Sequence, residues 1–163
     1  MHGESRLAND AWEALLSAHA TLMREFAAED IWQDLTMREY DVLYTLSKSN
    51  APLRVGELHR GVLLSQPALS RMVDRLVERG FIERWSDPAD GRYVRLSLTD
   101  AGRDKQRQIG RWHARSIARV ANAQVSADEL RQLEVICWKL ADRPSTNGSI
   151  NSINMPTDED IRS

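Results

Sequence analysis

Between Ser65 and Arg95 the chain sets polar donors at helical spacing, then follows them with an arginine-rich hairpin. In the segment 65–80, Gln66, Ser70, Arg71 and Arg75 fall on one side, and Leu69, Met72, Val73, Leu76 and Val77 fall on the other. Arginine presents a planar fork of paired donors that fits a guanine edge or a phosphate, and glutamine can pair with adenine in the same two-pronged way. Ser65 is placed to cap the segment, and Pro67 sits in the first turn, where its missing N–H costs nothing. The free N–H groups of that helix end suit a phosphate. Arg71 is the first choice for a guanine edge. Arg75, one turn on, contacts phosphate or pairs with Glu78 or Asp74, and the pairing role is favoured.

Past Gly80, the alternating runs Phe81–Trp85 and Tyr93–Leu98 flank Asp87-Pro-Ala-Asp-Gly91, a strand, a turn-rich loop and a returning strand. Arg92 follows the turn, and Arg84 and Arg95 lie on the strands, where either reaches a DNA backbone or remains ordinary solvated surface. A donor-bearing helix beside an arginine-tipped hairpin is what a winged helix-turn-helix lays on double-stranded DNA.

The elements that must position these groups can be read from periodicity and caps. Trp12, Leu15, Leu16, His19, Leu22, Met23 and Phe26 follow one face of a helix over about 7–28. Thr36-Met-Arg-Glu39 is a capping box opening a helix to about Ser47, and Asn50-Ala-Pro52 ends it. A short helix is predicted around Val55–Arg60. Thr99-Asp100 caps a long helix to about Ala123, and Ser126-Ala-Asp-Glu129 is a second capping box. The helix it opens repeats Leu130, Leu133, Cys137 and Leu140 near the 3.5-residue period of a coiled-coil seam.

The predicted fold is therefore mainly α with a small β-hairpin wing. Residues 1–34 and 101–141 read as N- and C-terminal dimerisation helices and 35–100 as a winged helix-turn-helix domain. Residues 142–163, polar and nearly free of aromatics, read as a disordered tail. The flanking helices carry more apolar face than one small domain can cover, which predicts a homodimer.

Composition narrows the function classes. The 163 residues carry a net charge of -2, which by itself argues against nucleic acid, but Lys48, Lys105 and Lys139 are the only lysines and the remaining cations are arginines. No apolar run approaches the roughly 18–20 residues that span a bilayer, and Met1–Arg6 lacks the apolar core of a secretory signal. A single cysteine, Cys137, cannot form an internal disulfide, which fits a reducing cytoplasm; beside Leu133 and Leu140 it reads as a small buried hydrophobe. His2, His19, His59 and His113 are scattered, with no i,i+4 ligand pair. With no Gly-rich phosphate loop or nucleophile elbow either, no enzyme, metal or cofactor is expected. The competing class is a winged helix retained as a protein-interaction module without specific DNA binding, against which the outward Arg71 and Arg92 argue.

Leu35-Thr-Met-Arg-Glu-Tyr-Asp-Val-Leu43, the run Leu64–Leu76, Gly80-Phe-Ile82, Asp90-Gly-Arg92 and Leu98-Thr-Asp-Ala-Gly102 stand in order across 35–102. Together they resemble the MarR family of bacterial transcription regulators. The resemblance implies a triangular dimer with a winged helix at each lower corner. It also implies transcriptional control, usually repression, relieved by a small, often anionic or phenolic compound bound between the two regions. It pairs Arg92 with Asp74, locking wing to helix; minor-groove insertion of Arg92 is the alternative. Gly91 departs from the family's more common basic residue and weakens the wing's grip. The implied effector cleft would be lined by Trp12, His19, Tyr40, Tyr44, Trp112 and His113. A core or dimer-seam role is favoured for Trp12 and Trp112.

Overall fold

The structure, a computed structural model, describes residues 2–141. The first helix, α1 (His2–Ala27), begins five residues before the periodicity predicts. In α2 (Met37–Ser47) the capping box forms as read: the Glu39 amide donates to Thr36 Oγ1 at 3.2 Å and the Thr36 amide to Glu39 Oε2 at 2.8 Å. Then come β1 (Leu53–Arg54), α3 (Val55–Arg60), α4 (Gln66–Glu78), β2 (Ile82–Ser86), β3 (Val94–Leu98), α5 (Asp100–Gln124) and α6 (Ala127–Ala141). The sequence-predicted tail, 142–163, lies outside the described residues.

The hairpin gains a third strand. The sheet is antiparallel in the order β1-β3-β2, with Leu53 opposite Leu96 and Arg54 opposite Arg95. Two residues after a proline offer no alternation, so β1 has no periodic signal in the sequence. The β2–β3 register sets Ile82 against Leu98 and Arg84 against Leu96. That pleat turns Ile82, Leu96 and Leu98 into the core, where they meet Val42 and Leu43 of α2, Leu58 of α3, Leu69 and Leu76 of α4 and Ile109 of α5.

The start of α5 is fixed to the entry of the wing. Thr99 Oγ1 donates to the Gly80 carbonyl at 2.6 Å and accepts from the Gly102 amide at 3.0 Å, while the Thr99 amide donates to the Phe81 carbonyl at 3.1 Å. A Cβ on Gly102 would stand 2.0 Å from the Phe81 carbonyl oxygen, so this close approach requires glycine. Gly80, at φ 74°, ends α4 in the left-handed conformation that glycine adopts without steric cost.

The core leaves α6 uncovered: none of its residues is buried, and Leu133, Val135, Ile136 and Leu140 are each more than half exposed. Cys137, expected in a core, is only half-buried for the same reason. Leu7 and Trp12 of α1 are likewise exposed.

Candidate nucleic-acid interface

The apolar stripe of α4 works as a keel. Leu69, Met72, Val73 and Leu76 are buried, which fixes the opposite side outward. Gln66, Pro67, Ser70 and Arg71 are all exposed there. Ser65 occupies the N-cap with an extended backbone, and its carbonyl accepts the Leu69 amide at 2.9 Å, but its hydroxyl makes no capping hydrogen bond. The amide-rich end of α4 and the Ser65 hydroxyl are thus open to an incoming acceptor.

Most cations around α4 already have anionic partners. Arg75 Nε stands 3.6 Å from Glu39 Oε1 of α2, in place of the Glu78 or Asp74 expected from its own helix. The buried Glu39 carboxylate, drawn in by its capping role, reaches across to α4. Arg79, the C-cap, joins Asp34 at 2.6 Å. The expected lock between Asp74 and Arg92 is not formed. Asp74 pairs with Arg84, which the β2 register brings alongside α4. Arg92 instead folds back on Asp90, two residues before it: Nε and Nη2 reach the two carboxylate oxygens at 3.0 and 2.8 Å, and the Arg92 amide reaches Oδ1 at 3.2 Å. The short local loop wins over the longer reach to α4, and the Arg92 side chain is left 85% exposed at the wing tip.

Arg95 also differs from its reading as a strand cation available to phosphate. Its Nε donates to Asp87 Oδ2 at 2.9 Å and its Nη1 to the Pro52 carbonyl at 3.0 Å. Arg54 reaches the same Asp87 oxygen through Nε at 2.9 Å and Nη2 at 2.7 Å, and stacks its guanidinium over the Tyr93 ring. The Ala89 amide, donating to Asp87 Oδ1 at 3.0 Å, and then the two guanidiniums hold the Asp87 carboxyl below the usual aspartate range. Asp87 is buried and forms the base of the wing. Neither it nor Arg54 stood out in the sequence, because their meeting depends on β1 pairing with β3.

Of the arginines between positions 71 and 95, Arg71 alone has no acidic partner among the described residues. It is exposed on the outward face of α4, one turn from the open helix start. An unpaired guanidinium there can take a base edge or phosphate without first breaking an ion pair.

The aromatic residues named for an effector cleft divide into two groups. Tyr40 stacks on Tyr44 at 5.9 Å between ring centroids, and His113 meets Tyr40 edge-on at 5.8 Å. Phe26 and Trp32, which the cleft reading had not included, lie 5.1 and 5.0 Å from the His113 ring. Trp112 packs against the same core, whereas Trp12 and His19 remain exposed on α1 and do not join the cluster. Phe26 was legible only as one member of an apolar stripe, and Trp32 sits in a loop that has no periodicity.

Burial pushes His113 below its ordinary 6.5, against an opposing pull from Glu29. It also pushes the Tyr40 hydroxyl up to about 12. Among the described residues, His113 Nδ1 and Glu29 Oε2 are buried polar atoms with no hydrogen-bond partner, although Glu29 Oε1 accepts from Arg119 at 2.7 Å. Among the described residues no group of His, Cys, Asp and Glu is arranged to hold a metal ion.

Residues 35–94 match the model of the MarR family. The multiple antibiotic resistance protein MarR of Escherichia coli is 30% identical over 107 residues, covering 66% of this chain and 74% of that protein. The crystal structure of the PcaV transcriptional regulator from Streptomyces coelicolor in complex with its natural ligand superposes with a TM-score of 0.62 at 30% identity, over 81% of this chain and 89% of that one. Sco3205, a MarR family transcriptional regulator from Streptomyces coelicolor solved in complex with DNA, gives a TM-score of 0.70 at 25% identity, over 84% and 88%.

Proposed function

The chain belongs to the MarR family and is a DNA-binding transcription regulator, and from that premise we propose that it is a homodimeric repressor reading a pseudo-palindromic operator. Members of the family are transcription regulators rather than enzymes. In this reading α4 is the recognition helix. Arg71 takes a guanine edge, Gln66 and Ser70 take neighbouring base or phosphate groups, and Ser65 and Pro67 present the helix start to a phosphate. Arg92 supplies the wing's contact. Arg75 and Arg95 act by holding α4 and the wing in place rather than by touching DNA. The observation that carries the reading is the unpaired, exposed Arg71 on a helix whose other cations are occupied.

Segments 1–34 and 101–141 are assigned to dimerisation and 35–100 to DNA reading. The exposed apolar residues of α1 and α6 support that division, since one protomer leaves them in water. Two copies related by a twofold axis would set their recognition helices one DNA turn apart, ~34–36 Å. No described helix is long and apolar enough to cross a membrane. The cytoplasm is the proposed location because the DNA it would read lies there.

For the effector we propose a small, planar, anionic or phenolic compound bound beside Tyr40, Tyr44 and His113, with Trp32 and Phe26 as further walls. The unpartnered His113 Nδ1 supports this, because a buried ring nitrogen without a partner favours a ligand that brings one. The similar PcaV transcriptional regulator was solved in complex with its natural ligand, which supports ligand binding by this fold. Release of DNA from the purified protein, measured by fluorescence anisotropy across a panel of aromatic acids and phenols, tests the effector. Loss of the response in His113→Phe supports the assignment, and an unchanged response contradicts it.

A further inference from the structure

Two neighbouring polar residues between α1 and α2, Gln33 and Asp34, are tied to α5 and to the end of α4. Gln33 adopts φ 57°, a left-handed conformation that is uncommon for any residue but glycine. Its side-chain oxygen accepts from Lys105 Nζ of α5 at 3.0 Å. The same Nζ donates to Asp34 Oδ1 at 2.9 Å. Asp34 Oδ2 and the Asp34 carbonyl both accept from Arg79 Nη2, at 2.6 and 2.9 Å. Arg79 is the C-cap of α4, and its Nη1 lies 3.8 Å from Glu39, the carboxylate that also meets Arg75. The Arg79 and Lys105 cations both lie against the Phe81 ring, which closes the strut from below. The Lys105 hydrogen bond, ahead of the contact with Arg79, draws the Asp34 carboxyl below its usual range.

We infer that Asp34 is a positioning residue for operator reading: bridging Lys105 and Arg79, it fixes the C-terminal turn of α4 to α5 and so sets the angle at which α4 meets DNA. The inference rests on α4 being the recognition helix. Lys105 and Asp34 lie outside α4 and the wing, so neither is needed as a DNA contact in the proposed interface. A pinned helix end discriminates between sites because only one tilt brings Arg71 and Gln66 to base edges together. Phosphate contacts made by flexible side chains tolerate a few degrees of error.

The test uses the full-length protein and two duplexes, one selected by the protein from a randomised pool and one scrambled, read by anisotropy over a salt series. Lys105→Met and Asp34→Asn should each weaken binding to the selected duplex by about 3- to 10-fold and leave the scrambled duplex within about twofold. The salt slope should not change. The double variant should be no weaker than the worse single one, since both cut the same strut, and Lys105→Arg should retain tight binding. A slope shallower by about one for Lys105→Met would make Lys105 a direct phosphate contact and overturn the inference. Equal losses on both duplexes, singles that multiply in the double, or unchanged selected-duplex affinity would also overturn it. A wild-type protein with no preference between the duplexes would instead refute the reading of α4 itself.

Discussion

Asp74 on α4 is held by Arg84 of β2, the first strand of the wing, and this pair ties helix to wing. Both side chains are about half exposed, so the pair steers orientation more than it stabilises. Its existence frees Arg92 from any structural duty on α4.

That freedom makes Arg92→Ala a clean probe. Among the described residues the Arg92 side chain bonds only Asp90 in its own loop, so the melting temperature should not move. Affinity for any duplex should fall, and the salt dependence should become shallower by about one unit, the mark of a lost phosphate contact. Unchanged affinity would remove the wing tip from the interface.

The base of the wing should be acid-labile. Asp87 is held below its unfolded value of 3.8, first by the Ala89 amide and then by the arginines. A depressed carboxyl pKa contributes stability above pH 3.8 that is lost as pH falls through the folded value. Asp87→Asn should therefore lower the urea midpoint at pH 7 and lose less on acidification than wild type. Parallel acid curves for the two proteins would show that Asp87 is not the titrating clamp.

Gly102→Ala should be among the most damaging single-methyl changes in the chain. The added Cβ would stand 2.0 Å from the Phe81 carbonyl oxygen, a backbone atom held by the Thr99 amide. Overpacking typically costs about 1–3 kcal/mol, and a backbone obstacle that cannot swing away places this change at the upper end. A variant with a wild-type unfolding midpoint would contradict the packing described at this junction.

Much of this architecture could be read directly from the chain. The Thr36–Glu39 and Ser126–Glu129 capping boxes, the keel of α4 and the glycine ending it are local patterns, written within a few consecutive residues. What stayed hidden depends on contacts distant in sequence. Arg95 reads as a free strand cation until β1 brings Arg54 and Asp87 to it. Asp74 finds Arg84 through the sheet register, and Arg75 finds Glu39 through helix packing. Trp32 gives no periodic signal, yet its indole donates to the Phe26 carbonyl at 2.8 Å and walls the aromatic cluster.

The same cluster gives the protein a pH dependence of opposite origin to that of Asp87. Burial lowers the pKa of His113, so below pH 6.5 the unfolded chain binds the proton more readily than the folded one. The stability is fully present above pH 6.5 and is lost as pH falls through 6.5 toward the lower folded value. Comparing urea midpoints at pH 7.5 and 5.5 for wild type and His113→Phe isolates the histidine's contribution, and we expect the variant to lose less on acidification. An equal loss in both would assign the effect to other groups.

Selection of binding sites from a randomised duplex pool, run in parallel with wild type and Arg71→Ala, addresses the interface most directly. Wild type should enrich twofold-symmetric sequences with half-site centres about 10–10.5 base pairs apart. Arg71→Ala should relax preference at one position per half-site, a loss of about 1–3 kcal/mol of discrimination. Enrichment of lone asymmetric sites, or identical preferences for both proteins, would contradict a dimer that reads DNA through Arg71.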